Sequence, residues 1–405
     1  MSKPKMFEKP LGLTDYLPDA VQKLRYIESR VLACMQGWGY EQIITPSMEY
    51  YDTVGTVSTT SDKKLFKLLN NRGTTMVLRS DMTGPIARVV SSLLKETKFP
   101  IRLSYHANVF RSIEEEAGRE AEFFQTGVEL VGDSSAEADA EVVALAIASL
   151  KAAGIERFKI AIGHVGFMNS LFAASLPGRV EAQESLKSSL LSRDYVGYRE
   201  QLCQLDLDEQ LREELAGILR LRGGQEICDQ ALQISKDETA RAAISHLCEI
   251  WDALQAYDVS EHVLIDLTMI GDITYYTGMT FEGYAADLGF PVVSGGRYDN
   301  LLTQFGRPAA ATGFALKTTR LIELLGTESE QEVERTLIVY DQQGRNEAIR
   351  KAQQLRSNGS VVVTERVQAV DHELLLQSEQ GKPVQYKGMD FASVLVFADA
   401  EEGGR

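Results

Sequence analysis

Apolar residues recur at helical spacing at Val21, Leu24, Ile27, Val31 and Leu32, which predicts a helix that starts near Ala20, capped by Asp19, and ends near Gly37 and Gly39. A short strand is expected over 42–45, stopped by Pro46. Strand patterns follow at 77–79, 102–111 and 122–130, and the charged stretch 112–119 with its Gly118 makes the last two a long hairpin. Ser134 and Glu137 stand at capping-box spacing before a helix that carries Val143, Ile147 and Leu150 on one face. Phe158, Ile160 and Ile162 then alternate as a strand. Over 166–256 the period turns helical with no strand signal, broken at Gly223 and Gly224, and this reads as an all-helical insertion. Strand patterns return at 263–266, 279–285 and 291–294, and a helix is expected over 311–325. The acidic stretch 327–334 reads as a linker. Beyond it a strand at 336–340, a helix at 346–357 and a strand at 360–364 give the βαβ start of a small α/β domain, with a last strand at 394–397.

At 405 residues, 44% hydrophobic and 25% charged, the chain has the profile of an ordinary globular protein of two or three domains, long enough to bury large cores without staples. Cys34, Cys203, Cys228 and Cys248 form no CxxC pair and have no histidines at ligand spacing, so neither a metal site nor a disulfide framework is expected; buried free thiols are. The polar start over 1–10 has no secretory apolar core, and no run of 18 apolar residues suggests a membrane span, so a cytoplasmic protein is expected. A net charge of −16 argues against a polyanion as the main partner, since neutralising phosphates needs basic surface.

Four segments carry candidate chemistry. Gly39 and Tyr40 are followed by Ile43, Ile44, Pro46 and Glu49. Leu78-Arg79-Ser80-Asp81-Met82-Thr83 places a carboxylate and a hydroxyl in a polar loop. Phe110-Arg111 and the charged loop lead into Phe123-Phe124-Gln125-Thr126-Gly127-Val128-Glu129, where Gln125 and Glu129 share one face of a strand. Tyr275-Tyr276-Thr277-Gly278 and Phe281-Glu282 precede Gly295-Gly296-Arg297-Tyr298-Asp299. In this order, and with a helical insertion in the matching place, these segments resemble histidyl-tRNA synthetase over roughly residues 10–325. The first is similar to class II motif 1, which builds a dimer interface. The third resembles motif 2 and the histidine-recognising strand, and the fourth the histidine-specific signature.

The resemblance implies an α+β fold: a class II synthetase-like antiparallel sheet flanked by helices (1–165 and 257–326), a helical insertion (166–256) and a small α/β C-terminal domain (327–405). It also implies a histidine pocket of Asp81, Thr83, Arg111, Gln125, Glu129, Tyr275 and Tyr276, in which Glu129 and Asp81 pair with the ammonium, Gln125 and the tyrosines frame the imidazole, and Arg111 faces the carboxylate. A buried Glu facing a cationic ligand is reasonable, because a fixed opposite charge offsets desolvation.

The departures are as informative. The arginine that helps activate the carboxylate is replaced by Gly271, and the acid before the tyrosines by Thr274. Motif 3, Gly-x-x-x-Gly-x-Glu-Arg in the family, here runs Gly313 to Arg320 with Lys317 and Thr319 where the second Gly and the Glu would be. Ala121 replaces the second Arg of motif 2. Adenylate formation needs preorganised positive charge, and losing one such donor costs on the order of 10²–10³ in rate. Recognition residues kept beside activation residues lost is the pattern of a sensor. It resembles the disabled synthetase paralogues that serve as regulatory subunits of ATP phosphoribosyltransferase, most closely along 295–316. That implies no catalysis and no cofactor, a short-form catalytic subunit as partner, histidine as effector, and a homodimer or higher oligomer. The competing readings are an active histidine–tRNA ligase, disfavoured by Gly271, and another disabled paralogue such as a kinase-associated tRNA sensor, which would carry a kinase or a basic anticodon domain. Residues 336–405 hold 8 Lys/Arg against 10 Asp/Glu and only Tyr340, Tyr386, Phe391 and Phe397 as aromatics, so tRNA binding there is not expected.

Overall fold

The computed structural model describes residues 6–57, 60–112, 120–234, 237–269, 276–286, 288–325, 334–368, 370, 372–380 and 382–398. Helix α1 (Pro18–Gly37) buries Leu24, Ile27, Val31 and Met35 along one stripe. Pro18 occupies its first turn, so Leu17 and not Asp19 is the cap; Asp19 instead lies in the first turn, where a carboxylate favours the helix dipole. The chain then enters β1 (Glu41–Gln42) through Gly39, whose positive φ of 82° makes the tight turn out of the helix. Strands β2 (Met48–Tyr50), β3 (Lys67–Leu69) and β4 (Thr75–Leu78) form a small antiparallel sheet in the order β2-β4-β3. Helix α2 (Thr83–Ser92) follows, and then the long hairpin of β5 (Ile101–Phe110) and β6 (Glu122–Val131). The expected connecting loop falls mostly outside the described residues.

Helix α3 (Ala136–Ala152) lies beneath the sheet, buried almost all round; its alanines permit close approach of Leu145, Ile147 and Leu150 to the core. Its cap is Ser135, whose hydroxyl accepts the Ala138 amide at 3.2 Å, one residue later than the capping box suggested. After β7 (Phe158–His164) come six helices: α4 (Val165–Ser175), α5 (Val180–Leu191), α6 (Tyr195–Gln204), α7 (Glu209–Gly217), α8 (Glu226–Ile234) and α9 (Glu238–Ala256). The reading of this stretch as free of strand needs one correction. Arg222 and Gly223 form β8, which pairs with β9 (Val263–Asp266). Two residues held by a tertiary contact are too few to leave a period. The sheet is completed by β10 (Met279–Ala285), β11 (Val293–Arg297) and β12 (Ala311–Lys317), in the order β1-β5-β6-β12-β11-β10-β7-β9-β8. It is antiparallel except where β1 meets β5 and β7 meets β9.

The helix expected over 311–325 is in fact β12 followed by α11 (Thr318–Leu324). In β12 Gly313 and Ala315 alternate with Phe314 and Leu316, and the strand is buried on both faces, so its period of two is hidden among residues that all count as apolar. Across the sheet, Val128 and Leu130, Phe314 and Leu316, Met279 and Phe281, and Ile160 and Ile162 belong to the helix-packed core, and the alternate residues line the other face. Of the thiols, only Cys228 is buried; Cys203 on α6 is exposed. Among the described residues no helix is long and apolar enough to cross a membrane.

Contacts separate residues 1–329 from a second unit, 330–405. In the latter β13 (Arg335–Tyr340) pairs in parallel with β14 (Val361–Arg366) across α12 (Arg345–Ser357), as a βαβ unit does, and with β15 (Ser393–Phe397) on its other side. Phe391 is buried in this unit's core, and Tyr340, Tyr386 and Phe397 are half-buried against its apolar clusters.

Candidate functional site

The register of the large sheet defines one functional face. Gln125, Gly127 and Glu129 of β6 stand opposite Lys317, Ala315 and Gly313 of β12 and opposite Ala107, Tyr105 and Leu103 of β5. Gly313 lies opposite Gly296 of β11, which lies opposite Thr280 of β10. Small residues thus floor the middle of this face. A Cβ on Gly313 would overlap the Glu129 carboxylate, and one on Gly127 would overlap the Tyr105 hydroxyl. A Cβ on Gly296 would fall 2.9 Å from the Tyr276 ring. Glycine is required here for close approach of side chains to the sheet.

Glu129, 2% exposed, is the most deeply buried acid on this face. The Thr83 hydroxyl donates to its Oε1 at 2.7 Å, and the Tyr298 hydroxyl donates to its Oε2. Burial pushes its carboxyl up to about 8, the two hydroxyls pull the other way, and the Asp81 carboxylate adds to the rise. Burial thus favours the protonated form of Glu129 over the carboxylate. Asp81 has one oxygen on the Gly84 amide at 3.1 Å, at the start of α2, and the other on the Ser80 hydroxyl at 3.2 Å. Tyr105, fully buried, feels both carboxylates, and its hydroxyl is held well above the usual phenol range by burial first and by Glu129 and Asp81 next.

Arg111 follows β5. Its Nε donates to the Ser80 carbonyl at 3.0 Å, and its guanidinium lies 5.4 Å from the centre of the Phe123 ring. Burial lowers its affinity for the proton, while Asp81, Tyr105 and Tyr276 oppose that, so these four groups share one electrostatic neighbourhood. The structure thus brings Asp81, Thr83, Arg111, Gln125, Glu129 and Tyr276 to one side of the sheet. Tyr275 lies outside the described residues, as do Gly271 and Thr274.

Three further residues shape the site. Tyr298 was visible only as part of the Gly-Gly-Arg-Tyr-Asp run. Tyr105 needed the β5–β6 register, and Lys317 needed the correct reading of β12. Arg297 turns away from the pocket. Its Nε donates to Asp139 of α3 at 2.9 Å, and its other nitrogens reach the Asp133 and Ser135 carbonyls at 3.0 and 3.2 Å. The Arg297 carbonyl accepts the Thr277 amide at 2.8 Å, and Thr277 Oγ1 accepts the Asp299 amide at 3.0 Å. The Arg297–Asp139 pair therefore pins the segment that presents Tyr276 and Tyr298.

The positions that resemble motifs 2 and 3 are taken up by local hydrogen bonds. Thr319 Oγ1 accepts the Phe124 amide at 2.9 Å, and Thr318 is hydrogen-bonded to Thr126 at 2.8 Å. Arg320 donates to the Pro291 carbonyl at 3.0 Å and lies against the Phe290 ring. Ala121 is buried, and its amide and carbonyl pair with Gly12 and Arg111. No cluster of three or more metal-ligating side chains occurs among the described residues.

Residues 12–321 match the Histidyl-tRNA synthetase family. The chain is 44% identical over 371 residues to the ATP phosphoribosyltransferase regulatory subunit of Halalkalibacterium halodurans, covering 91% of this chain and 93% of the relative. A solved ATP phosphoribosyltransferase regulatory subunit/histidyl-tRNA synthetase from Bacillus halodurans superposes with a TM-score of 0.85 at 41% identity, over 98% of this chain and 99% of that one. Histidyl-tRNA synthetase from Nostoc shares the fold, with a TM-score of 0.77 at 20% identity over 93% of this chain and 90% of that one. With a family match over most of its length and relatives at this identity across nearly their whole chains, the protein belongs to the family of ATP phosphoribosyltransferase regulatory subunits, on the histidyl-tRNA synthetase fold.

Proposed function

We propose that this protein is a non-catalytic regulatory subunit of ATP phosphoribosyltransferase that works in the cytoplasm with a short-form catalytic subunit and senses histidine in the pocket on the sheet face. The observation that carries the reading is the contrast within one site. Glu129 keeps a cradle of Thr83, Tyr298 and Asp81, while the activation positions hold Ala121, Lys317 and Thr319, two of them bound into the sheet. The ammonium of histidine supplies a cation for the Glu129 and Asp81 carboxyls, and Arg111 offers a positive charge to its carboxylate.

Assembly is proposed to rest on a homodimer. Tyr50, Met76 and Leu68 form one row across the small sheet, and Ile44, Met48, Tyr50 and Leu68 are all exposed, Ile44 at 85%. An apolar surface of this kind on a motif 1-like segment suits a second copy of the chain. The second unit packs Phe391 inside and half-buries its other aromatics, which leaves little for base stacking, so tRNA is not the proposed partner. The deciding experiment is co-expression with the organism's ATP phosphoribosyltransferase catalytic subunit. Co-purification, activation of that subunit and inhibition by added histidine are expected. A catalytic subunit that neither binds this chain nor gains activity from it would overturn the reading.

A further inference from the structure

Lys317 closes β12 opposite Gln125, on the pocket face, where the related motif has a glycine. It is half-buried at the end of the small-residue floor, and no hydrogen bond to its ammonium occurs among the described residues. Its electrostatic neighbours are Arg320 of α11 and Arg111 from the end of β5, both cations, and Glu282 of β10. Glu282 is already engaged, 2.8 Å from Arg193 Nη2, and also accepts the Tyr284 hydroxyl. Burial and the two arginines pull the Lys317 ammonium down to about 8. A cation pushed among cations, with its nearest acid shared, is an arrangement that an anionic group entering the pocket would stabilise.

The acidic end of the face is at Glu129, four residues along β6 from Gln125, a spacing of roughly 13 Å. A lysine side chain reaching from one end, a carboxylate from the other and a small zwitterion between them fill that span. We propose that Lys317, beside Arg111, holds the carboxylate of the amino-acid ligand, so that the pocket selects a zwitterion by reading its negative as well as its positive groups. This rests on the reading of the pocket as a histidine site and adds the residue that discriminates against decarboxylated analogues.

The test is calorimetric titration of the full-length protein with histidine and with histamine, which keeps the imidazole and amine but lacks the carboxylate. The unaltered protein should prefer histidine strongly. Lys317→Met should weaken histidine about tenfold or more while leaving histamine unchanged, and Lys317→Arg should keep histidine close to its original affinity. Histidine affinity untouched in Lys317→Met, or both compounds still bound but weakened to the same degree, would overturn the assignment of Lys317 alone. If Lys317→Met binds neither compound, Lys317→Arg decides: retained histidine binding supports the proposal and its loss overturns it. An unaltered protein that binds no histidine would remove the pocket reading and this proposal together.

Discussion

The two ends of the same sheet face differ in what their polar groups are doing. At the Glu129 end, hydroxyls from Thr83 and Tyr298 converge on a buried carboxyl with a second carboxylate, Asp81, close by. Nothing in the fold needs a charge there, and ionising it is unfavourable. At the motif 3 end the side chains are taken up by local structure: Thr319 holds a strand amide, Thr318 bonds to Thr126, and Arg320 reaches the Pro291 carbonyl. An unfavourable carboxyl with an organised surround is the arrangement that the proposed ligand site calls for. Former catalytic positions drawn into ordinary hydrogen bonds mark a chemistry that is gone.

The contrast can be broken most decisively by chemistry. Histidine-dependent pyrophosphate exchange should read background, since each missing electrostatic donor costs on the order of 10²–10³ and at least two are absent, putting the rate roughly 10⁴-fold or more below an active synthetase. Exchange at a synthetase-like rate would erase the distinction between the two ends. The next largest effect concerns how the acid end is held. Asp139→Asn leaves the buried Arg297 with Asp299, at 3.3 Å, as its remaining countercharge, so denaturant unfolding should show a loss of about 2–3 kcal/mol, with histidine binding weakened because Tyr276 and Tyr298 lose part of their anchor. A loss well under 1 kcal/mol would show that the pair anchors nothing.

A smaller effect, with a definite sign, sharpens the comparison further. The Glu129 carboxyl binds its proton up to about pH 8 in the native state, while the same group in the unfolded chain ionises near its ordinary value of 4.5. Between those values the folded protein holds the extra proton, so this group's contribution to stability declines as pH rises through that window and levels off above it. The penalty is about 3 kcal/mol at pH 7. Glu129→Gln should therefore stabilise the ligand-free protein by about 1–3 kcal/mol at pH 8, since the amide forfeits part of the hydroxyl hydrogen bonding, and by almost nothing at pH 4. Melting curves of both proteins across that range check it; equal stability at every pH would mean that Glu129 ionises normally and the acid end is not special.

Much of this was legible in the sequence, for particular reasons. The period-two spacing of Gln125, Gly127 and Glu129 placed two polar groups on one strand face, and the register bears that out. The βαβ pattern after residue 335 was plain, because its strands are short, regular and flanked by a helix of ordinary amphipathic form. The features that no local pattern carries are those that depend on partners far along the chain. The strand Ala311–Lys317 looked helical because both of its faces are buried, and with it went Lys317 as a pocket residue. Tyr105 is a site residue because Gly127 opposite it makes room, and Tyr298 because its hydroxyl reaches Glu129. Arg297, inside a pocket-like motif, proved to point through the sheet to α3, which alternation along β11 permits and no motif reveals.

Histidine sensing through Glu129 is tested most directly by titration of the protein with histidine, alone and then assembled with the catalytic subunit, for the unaltered chain and for Glu129→Ala. Removing one partner of a buried charged hydrogen bond costs about 2–5 kcal/mol, so the variant should show no measurable heat of binding and the complex should lose its inhibition by histidine, while circular dichroism and melting remain those of a folded protein. Because burial pushes the Glu129 carboxyl up to about 8, binding of a cation to the unaltered chain at pH 7 should also release a proton, seen as an apparent enthalpy that changes with the ionisation enthalpy of the buffer. Histidine affinity and inhibition unchanged in Glu129→Ala would contradict the central claim, and the pocket would then be a remnant with no part in sensing.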